Sequence, residues 1–395
     1  MNSKYFKGLP ANIILLGIVS FLNDVSSEMI LPILPMFLKS LGGAGLAVGL
    51  AGGFRDSIPS ILNIVFGYLS DRLGKRKIFI WGGYVTSAVF RLLLVLSKSC
   101  QQAVILSSLE RIGKGLRTAA RDAIIADSAA AARGKGFGIH RAFDSAGAIV
   151  GSVAVFILFW AFDFGFKPII LVAGIIAFVS LIPLRFVKET ETPPHKSLQK
   201  ITLRGLPAPL RIFIAIAGVF ALGNFSYMFF IMKAQEAFSD KSSVTVPILL
   251  YVLFNIFYTA FAAPFGALSD KIGRSKILIL GYGLFSATSF GFAYLSSLPA
   301  FIVLFALYGV AYAAIESNQR ACASDLASQQ LKATGMGAFH TTIGLMALPG
   351  SVIAGLLWQK VTPSATFIYG GVMGFISVFL FITFRTTLRP AKSSG

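Results

Sequence analysis

The sequence predicts an all-α membrane protein of twelve transmembrane helices in two pseudo-symmetric six-helix bundles, and three observations predict it. The first is composition: 55% of the residues are hydrophobic, 13% are charged and 37 are Phe, which leaves too little polar surface for a soluble chain of this length. The second is the recurrence of apolar runs able to cross a hydrocarbon core of about 30 Å, a task that takes about 20 helical residues. The third is a charged, glycine-punctuated hairpin that occurs twice. Gly67-Tyr-Leu-Ser-Asp71-Arg72-Leu-Gly74-Lys75-Arg76-Lys77 returns 199 residues further along as Gly266-Ala-Leu-Ser-Asp270-Lys271-Ile-Gly273-Arg274-Ser-Lys276, in a chain of 395. A repeat at half the chain length indicates two copies of one unit, each turning at the same membrane face.

Twelve apolar runs, numbered here as spans 1 to 12, are expected at residues 12–38, 45–69, 78–97, 102–126, 138–161, 168–186, 210–236, 245–268, 277–296, 299–322, 334–358 and 364–384. They lack the period-two alternation of barrel strands, and backbone groups in lipid must be satisfied within each segment, so the spans read as helices. The one long connector, VKETETPPHKSLQKITLRGLPAP at 187–209, is polar and rich in Pro and Lys. It divides a six-helix bundle at 1–186 from a second at 210–395, with a cytoplasmic linker between them.

A net charge of +19 could suggest nucleic acid, but its placement follows the positive-inside rule instead. Lys4 and Lys7 precede span 1; Arg72, Lys75, Arg76 and Lys77 follow span 2; Arg133 and Lys135 follow span 4. Lys188, Lys196, Lys200 and Arg204 lie in the linker; Lys271, Arg274 and Lys276 follow span 8; Arg385, Arg389 and Lys392 follow span 12. The opposite loops hold little beyond Lys39, Lys98, Lys167 and Lys241. Both termini are therefore expected in the cytoplasm, the bilayer is the expected large partner, and no nucleic acid is expected.

No cleavable signal peptide is expected, because the first apolar run is too long and lacks a small-residue processing site. Cys100 and Cys322 fall on an outer loop and within span 10; they give neither a disulfide framework nor a metal spacing. No phosphate-binding loop is present, so ATP is not the expected direct energy source. No cofactor, metal or enzymatic activity is expected, and the chain is expected to work as a monomer.

Twelve spans in two halves, with this hairpin after spans 2 and 8, resemble the major facilitator superfamily over essentially the whole chain. The resemblance implies that Gly67 and Gly266 allow helices to approach closely, and that Asp71 faces the positive end of a helix. Together with Arg72, Gly74, Asp270, Lys271 and Gly273, these residues would form a conformational latch; the plainer reading is topology anchors alone. Asp24-Val-Ser-Ser-Glu28-Met-Ile-Leu-Pro32-Ile-Leu-Pro35 resembles the Pro-x-x-Pro end of the family's first helix. Arg111-x-x-x-Gly115-x-x-x-Ala119 resembles its buried-arginine motif, with Lys114 where Gln is usual and Arg117 where a small residue is usual. Gly138, Gly147 and Gly151 keep the glycine spacing of the exporter motif, but Ser152 replaces its hallmark Pro.

Charges within the spans each need a reason, since one at mid-membrane costs at least about 2.5–3.5 kcal/mol on insertion scales. Asp24 and Glu28 lie one turn apart on span 1 and share a face. Glu110, Lys114, Arg117 and Arg121 are spaced 4, 3 and 4 along span 4, with Arg111 beside them. Span 5 adds His140, Arg141 and Asp144; span 7 has Asn224 near its middle, with Lys233 and Glu236 towards the outer end; span 10 has Glu316 and Arg320; span 11 has His340. The resemblance places spans 1, 4, 7 and 10 around a central cavity. Asp24, Glu28, Glu110, Arg111, Lys114, Arg117, Arg141, Asp144, Asn224 and Glu316 are the candidates for proton coupling or substrate binding, against the alternative of internal ion pairs that only hold helices together. For Arg121 and Arg320, at the cytoplasmic edge, ion pairing or snorkelling is the expected role. The repeat offset relates Arg117 to Glu316, which raises a gate between them against pairing of each within its own half.

The resulting expectation is a secondary transporter of a small, charged organic solute, working by alternating access and coupled to protons, in the cell membrane. Multidrug efflux is the second reading, and a membrane receptor or lipid flippase on the same scaffold a third.

Overall fold

The computed structural model describes residues 10–128, 133–189, 205–327 and 331–388, apart from the side chains of 133–135 and 332–333. The basic residues Lys4, Lys7, Lys196, Lys200, Arg204, Arg389 and Lys392, and the side chains of Arg133 and Lys135, lie outside the described residues. Among the described residues the regular structure is entirely helical. All twelve spans are present: Ala11–Ser40, Gly45–Leu73, Arg76–Val95, Cys100–Ser128, Arg133–Trp160, Phe166–Leu184, Ala208–Glu236, Ser242–Ile272, Arg274–Tyr294, Leu298–Leu326, Lys332–Lys360 and Pro363–Thr383.

Ten of these are long and apolar enough to cross a membrane by composition alone. The other two, spans 2 and 4, are 29 residues each. Their length suffices, but span 2 carries Arg55, Asp56, Asp71 and Arg72, and span 4 carries Glu110, Arg111, Lys114, Arg117, Arg121, Asp122 and Asp127. Large apolar side chains such as Ile105, Trp160, Phe375 and Phe379 stand exposed on the helices; in a chain of this composition they face lipid, which does not penalise them.

Spans 1 and 7 are broken, for different reasons. Span 1 consists of Ala11–Ile30 and Leu34–Ser40. Pro32 and Pro35 have no N–H to donate, so the ladder lapses between the two pieces. Span 7 consists of Ala208–Gly223 and Met228–Glu236, with no proline at the break. Its freed backbone groups are taken by neighbouring side chains: the Tyr369 hydroxyl donates to the Leu222 carbonyl (2.8 Å), and the Ser226 N–H donates to Ser351 Oγ (3.1 Å). Satisfaction by side chains is what lets a helix unwind where water is absent.

The chain divides into two compact units. The first comprises Met1–Phe37 and Ile61–Leu198, the second Leu38–Ser60 and Gln199–Gly395, so span 2 contributes to both. Of the connector, residues 190–204 lie outside the described residues.

Each unit closes its cytoplasmic hairpin in the same way. Gly74 (φ 63°) and Gly273 (φ 98°) take the left-handed conformation that glycine adopts without strain, so the next helix starts within two residues. Arg76 then pairs with Asp71 (3.8 Å) and with Asp127 at the end of span 4. Arg274 pairs with Asp270 (3.1 Å) and with Asp325 at the end of span 10. In the first unit the Glu189 carboxylate also accepts the Arg76 and Lys77 N–H groups (3.1 and 2.9 Å), an anion at a helix N-terminus. A Cβ on Gly67 would lie 3.0 Å from that of Ala119, whereas none of the atoms around Gly266 would come within 4 Å of one. Asp127 and Asp325 were not singled out in the sequence, although they repeat with the hairpins.

Within the first unit span 5 lies against span 1. A Cβ on Gly147 would fall 2.6 Å from the Phe21 carbonyl oxygen and 3.1 Å from the Asp24 Cβ, while one on Gly138 would meet nothing. Gly147→Leu is therefore expected to destabilise by about 1–3 kcal/mol through overpacking. Gly138→Leu is expected to stay within about 0.5 kcal/mol. Thermal unfolding of the two variants in detergent checks this: equal melting temperatures would mean that the close approach is not needed.

Candidate functional site

The most deeply buried charges lie between spans 3 and 4. Arg91, 2% exposed, donates through Nε and Nη2 to Glu110 Oε1 (3.1 and 2.7 Å). Its Nη1 reaches across to span 1, donating to the Asn23 carbonyl (3.1 Å) and Ser26 Oγ (2.9 Å). Glu110 Oε2 lies 2.8 Å from Arg111 Nε, an ion pair by distance whose N–H is not aimed along the contact. Arg117 is equally buried; it donates to Ser87 Oγ (2.7 Å) and lies over the Tyr84 ring, 4.5 Å from its centroid.

The 4-3-4 stripe on span 4 therefore divides. Glu110 and Arg117 turn into the helix interface with span 3, whereas Lys114 is exposed and Arg121 part-buried. Arg121 pairs with Asp122 (3.0 Å) and donates to Ser20 Oγ on span 1 (3.1 Å). The same hydroxyl meets His140 Nε2 (2.9 Å) and Tyr84 Oη (3.3 Å), and His140 Nδ1 lies 3.5 Å from Asp144 Oδ2. A polar chain Asp144–His140–Ser20–Tyr84 thus links spans 5, 1 and 3.

Asp24 joins this cluster. Asp144, Lys114, Arg121 and Arg117 all lie within electrostatic reach of it. Glu28 sits one turn along, its Cβ 2.9 Å from where a Gly151 side chain would begin. Arg141 is exposed and acts on Asp144 through its charge. The Asp144 Oδ1 atom is buried without a hydrogen-bond partner, a costly arrangement for a charged carboxylate.

In the second unit Asn224 is the first non-helical residue of the span 7 break, not a mid-helix residue. Glu316 accepts from the Tyr258 hydroxyl and pairs with Arg320 one turn along. Arg117 and Glu316 are thus each engaged within their own unit, and they are not symmetry mates. The 199-residue offset holds as far as the hairpin glycine; beyond it the second copy is one residue shorter. Arg76 corresponds to Arg274, Asp127 to Asp325 and Gly83 to Gly281 by the pairs they form. A Cβ on Gly83 would meet the Arg117 Cβ at 2.6 Å, and one on Gly281 would meet Ile315 Cγ1 at 2.8 Å. The mate of Arg117 is Ile315, which removes the symmetry argument for a gate.

Several charges within spans were not singled out in the sequence, among them Arg91, Arg55, Asp56, Asp122 and Arg211. An arginine inside an otherwise apolar run is the signal that identifies Arg91. Removing its side chain leaves Glu110 underpaired in a dry interface, so Arg91→Ala is expected to destabilise by about 3–5 kcal/mol. Arg91→Lys is expected to recover only part of this, because an ammonium lacks the guanidinium fork. Unfolding temperatures of both variants give the reading; a wild-type value for Arg91→Ala would overturn the assignment.

A family model described as Major Facilitator Superfamily matches residues 16–241 and 212–395. An MFS-type transporter of Methanocaldococcus jannaschii is 51% identical over 385 residues, covering 96% of each chain. The multidrug resistance protein MdtH of Proteus mirabilis is 24% identical over 395 residues, covering 95% of this chain and 93% of its own. The crystal structure of the nucleoside transporter NupG has the same fold, with a TM-score of 0.79 at 13% identity, covering 94% of this chain and 98% of that one. With family motifs at both hairpins, twelve helical spans and these relatives, the chain belongs to the major facilitator superfamily and is an integral, multi-pass membrane protein.

Proposed function

We propose that this protein is a proton-coupled secondary transporter that moves a small, charged organic solute across the cell membrane by alternating access. The observation that carries the reading is the cluster in the first unit, where Asp24 and Asp144 act on each other beside Lys114, Arg117 and Arg121. Two interacting carboxylates titrate as a pair, so one proton added or removed changes the charge balance of the whole cluster. His140, held between Asp144 and Ser20, offers the proton a path between spans 5 and 1. Lys114 and Arg141, both exposed, are the residues proposed to meet the solute there, with Glu28 beside them. Glu110 and Arg111 are proposed to hold the cluster in place through Arg91. In the second unit Asn224, at an unwound helix, and Glu316 are the proposed solute residues. The two hairpins, with Asp71 and Asp270, are proposed as the latches, and the working unit as a monomer.

Multidrug efflux is the second reading. It is favoured by the tight glycines of span 5 and by the name of the Proteus mirabilis relative.

The test begins with a thermal-shift screen of the purified protein against metabolites and drugs at two pH values, since a ligand of the native state raises the melting temperature. Hits are then followed in proteoliposomes that report both solute and internal pH. Accumulation driven by a pH gradient is expected in the wild type. Asp24→Asn and Asp144→Asn should abolish it while leaving solute exchange without a gradient. Full gradient-driven accumulation in both variants would remove proton coupling from this cluster. Many unrelated cationic hits would favour efflux.

A further inference from the structure

The second unit contains a group of phenols and carboxylates of which the proposed function uses only Glu316. Spans 8 and 10 touch at the backbone: a Cβ on Gly309 would lie 2.6 Å from the Phe254 carbonyl oxygen. Next to that contact Tyr308, Tyr312, Glu316 and Arg320 follow one another at four-residue intervals, which places neighbours in this series on one helix face. The Tyr312 ring lies 5.5 Å from that of Tyr258 and 6.1 Å from that of Tyr308. The Tyr258 hydroxyl donates to the Glu316 carboxylate. Asp56, exposed on the part of span 2 that belongs to this unit, is within electrostatic reach of both Tyr308 and Tyr312.

We propose that this face is the subsite for the cationic group of the solute, an alkyl- or arylammonium on an apolar body, which displaces Arg320 from Glu316. It rests on the transport reading in taking the solute to be charged and Glu316 to be one of its contacts.

The chemistry favours a cation over an anion. Tyrosine rings attract a cation to their faces, more strongly as water is excluded. Tyr308 is buried and stacked with Phe230 and Phe254 (4.3 and 4.9 Å between centroids), so Tyr312 is the ring that would meet the cation. Two carboxylates stand beside these rings, and Arg320 is paired with one of them. That residue is a poor permanent partner: its side chain is 52% exposed, against 25% for Glu316, and an ion pair with one exposed, flexible member contributes little. Arg320 therefore acts as a stand-in that keeps Glu316 neutralised while the subsite is empty. An anionic solute would have to displace the carboxylate instead, and would lie against the negative faces of the phenols.

The experiment measures equilibrium binding of phenyltrimethylammonium and of its uncharged isostere tert-butylbenzene to the full-length protein in detergent, by calorimetry, without a pH gradient. The cation should bind about tenfold or more tightly than the isostere. Glu316→Gln and Asp56→Asn should each weaken it. Tyr312→Leu should weaken it several-fold, and Tyr312→Phe, which keeps the ring, should not. Arg320→Gln should strengthen it, because the competing resident cation is gone; a merely structural Arg320 would not produce that sign. No binding of the cation, equal binding of the isostere, or weaker binding in Arg320→Gln overturns the proposal. Cation binding of this kind in a protein that accumulates nothing under a pH gradient would overturn the proton-coupling reading alone. Gradient-driven transport of anions by a protein that ignores the cation would overturn the subsite alone.

Discussion

Glu110 and Arg91 show what the bilayer demands of this chain. Both side chains are withdrawn from water inside the first unit, and neither could stay charged there alone. Arg91 supplies two bonds to the carboxylate and two more to Asn23 and Ser26 of span 1. One guanidinium thereby fixes three helices in register. The positions of Arg117, Tyr84 and Ser20, and hence of His140 and Asp144, depend on that register. The polar cluster is thus a consequence of how the bundle solves its burial problem, as well as a candidate site.

The same demand explains how the helices are interrupted. Span 1 ends its first segment where proline removes donors, and nothing further is needed. Span 7 unwinds with its donors intact, and so needs Tyr369 and Ser351 to receive its backbone groups. An interruption that requires two helices to supply partners is a built feature. It leaves Asn224, a small amide, at the first non-helical position of the second unit.

Much of the architecture was legible because it is written in long-range patterns. Run length gave the twelve spans, and the returning hairpin gave the two copies. The break in span 7 was not legible, since Gly223-Asn224-Phe225-Ser226 contains no helix breaker stronger than one glycine, and its cause lies in residues more than a hundred positions away. The stripe on span 4 was read correctly as a periodicity, but helical spacing does not say which of its members face a neighbour. Arg117 and Lys114 differ by three residues, and one is buried while the other is exposed. The register of the repeat was legible at the hairpin and misleading beyond it, because one residue is missing from the second copy between Gly273 and Arg274.

With the register corrected, the two copies turn out to differ in a consistent direction. By the 198-residue offset that the hairpin arginines define, Glu110 corresponds to Tyr308, Arg91 to Ser289, Arg111 to Gly309, Lys114 to Tyr312 and Thr118 to Glu316. The ion pairs of the first copy are replaced in the second by a phenol, a hydroxyl and a backbone contact, and replacing a buried ion pair by well-packed groups is often neutral or stabilising. The second unit therefore does not need buried arginine to hold its helices. At the exposed position on the same face, a lysine gives way to a tyrosine, and one turn on a threonine gives way to a glutamate. A basic position in one copy thus becomes an aromatic one followed by an acidic one in the other. Duplication supplied the scaffold twice, and the divergence lies in the sign of the charge each copy presents.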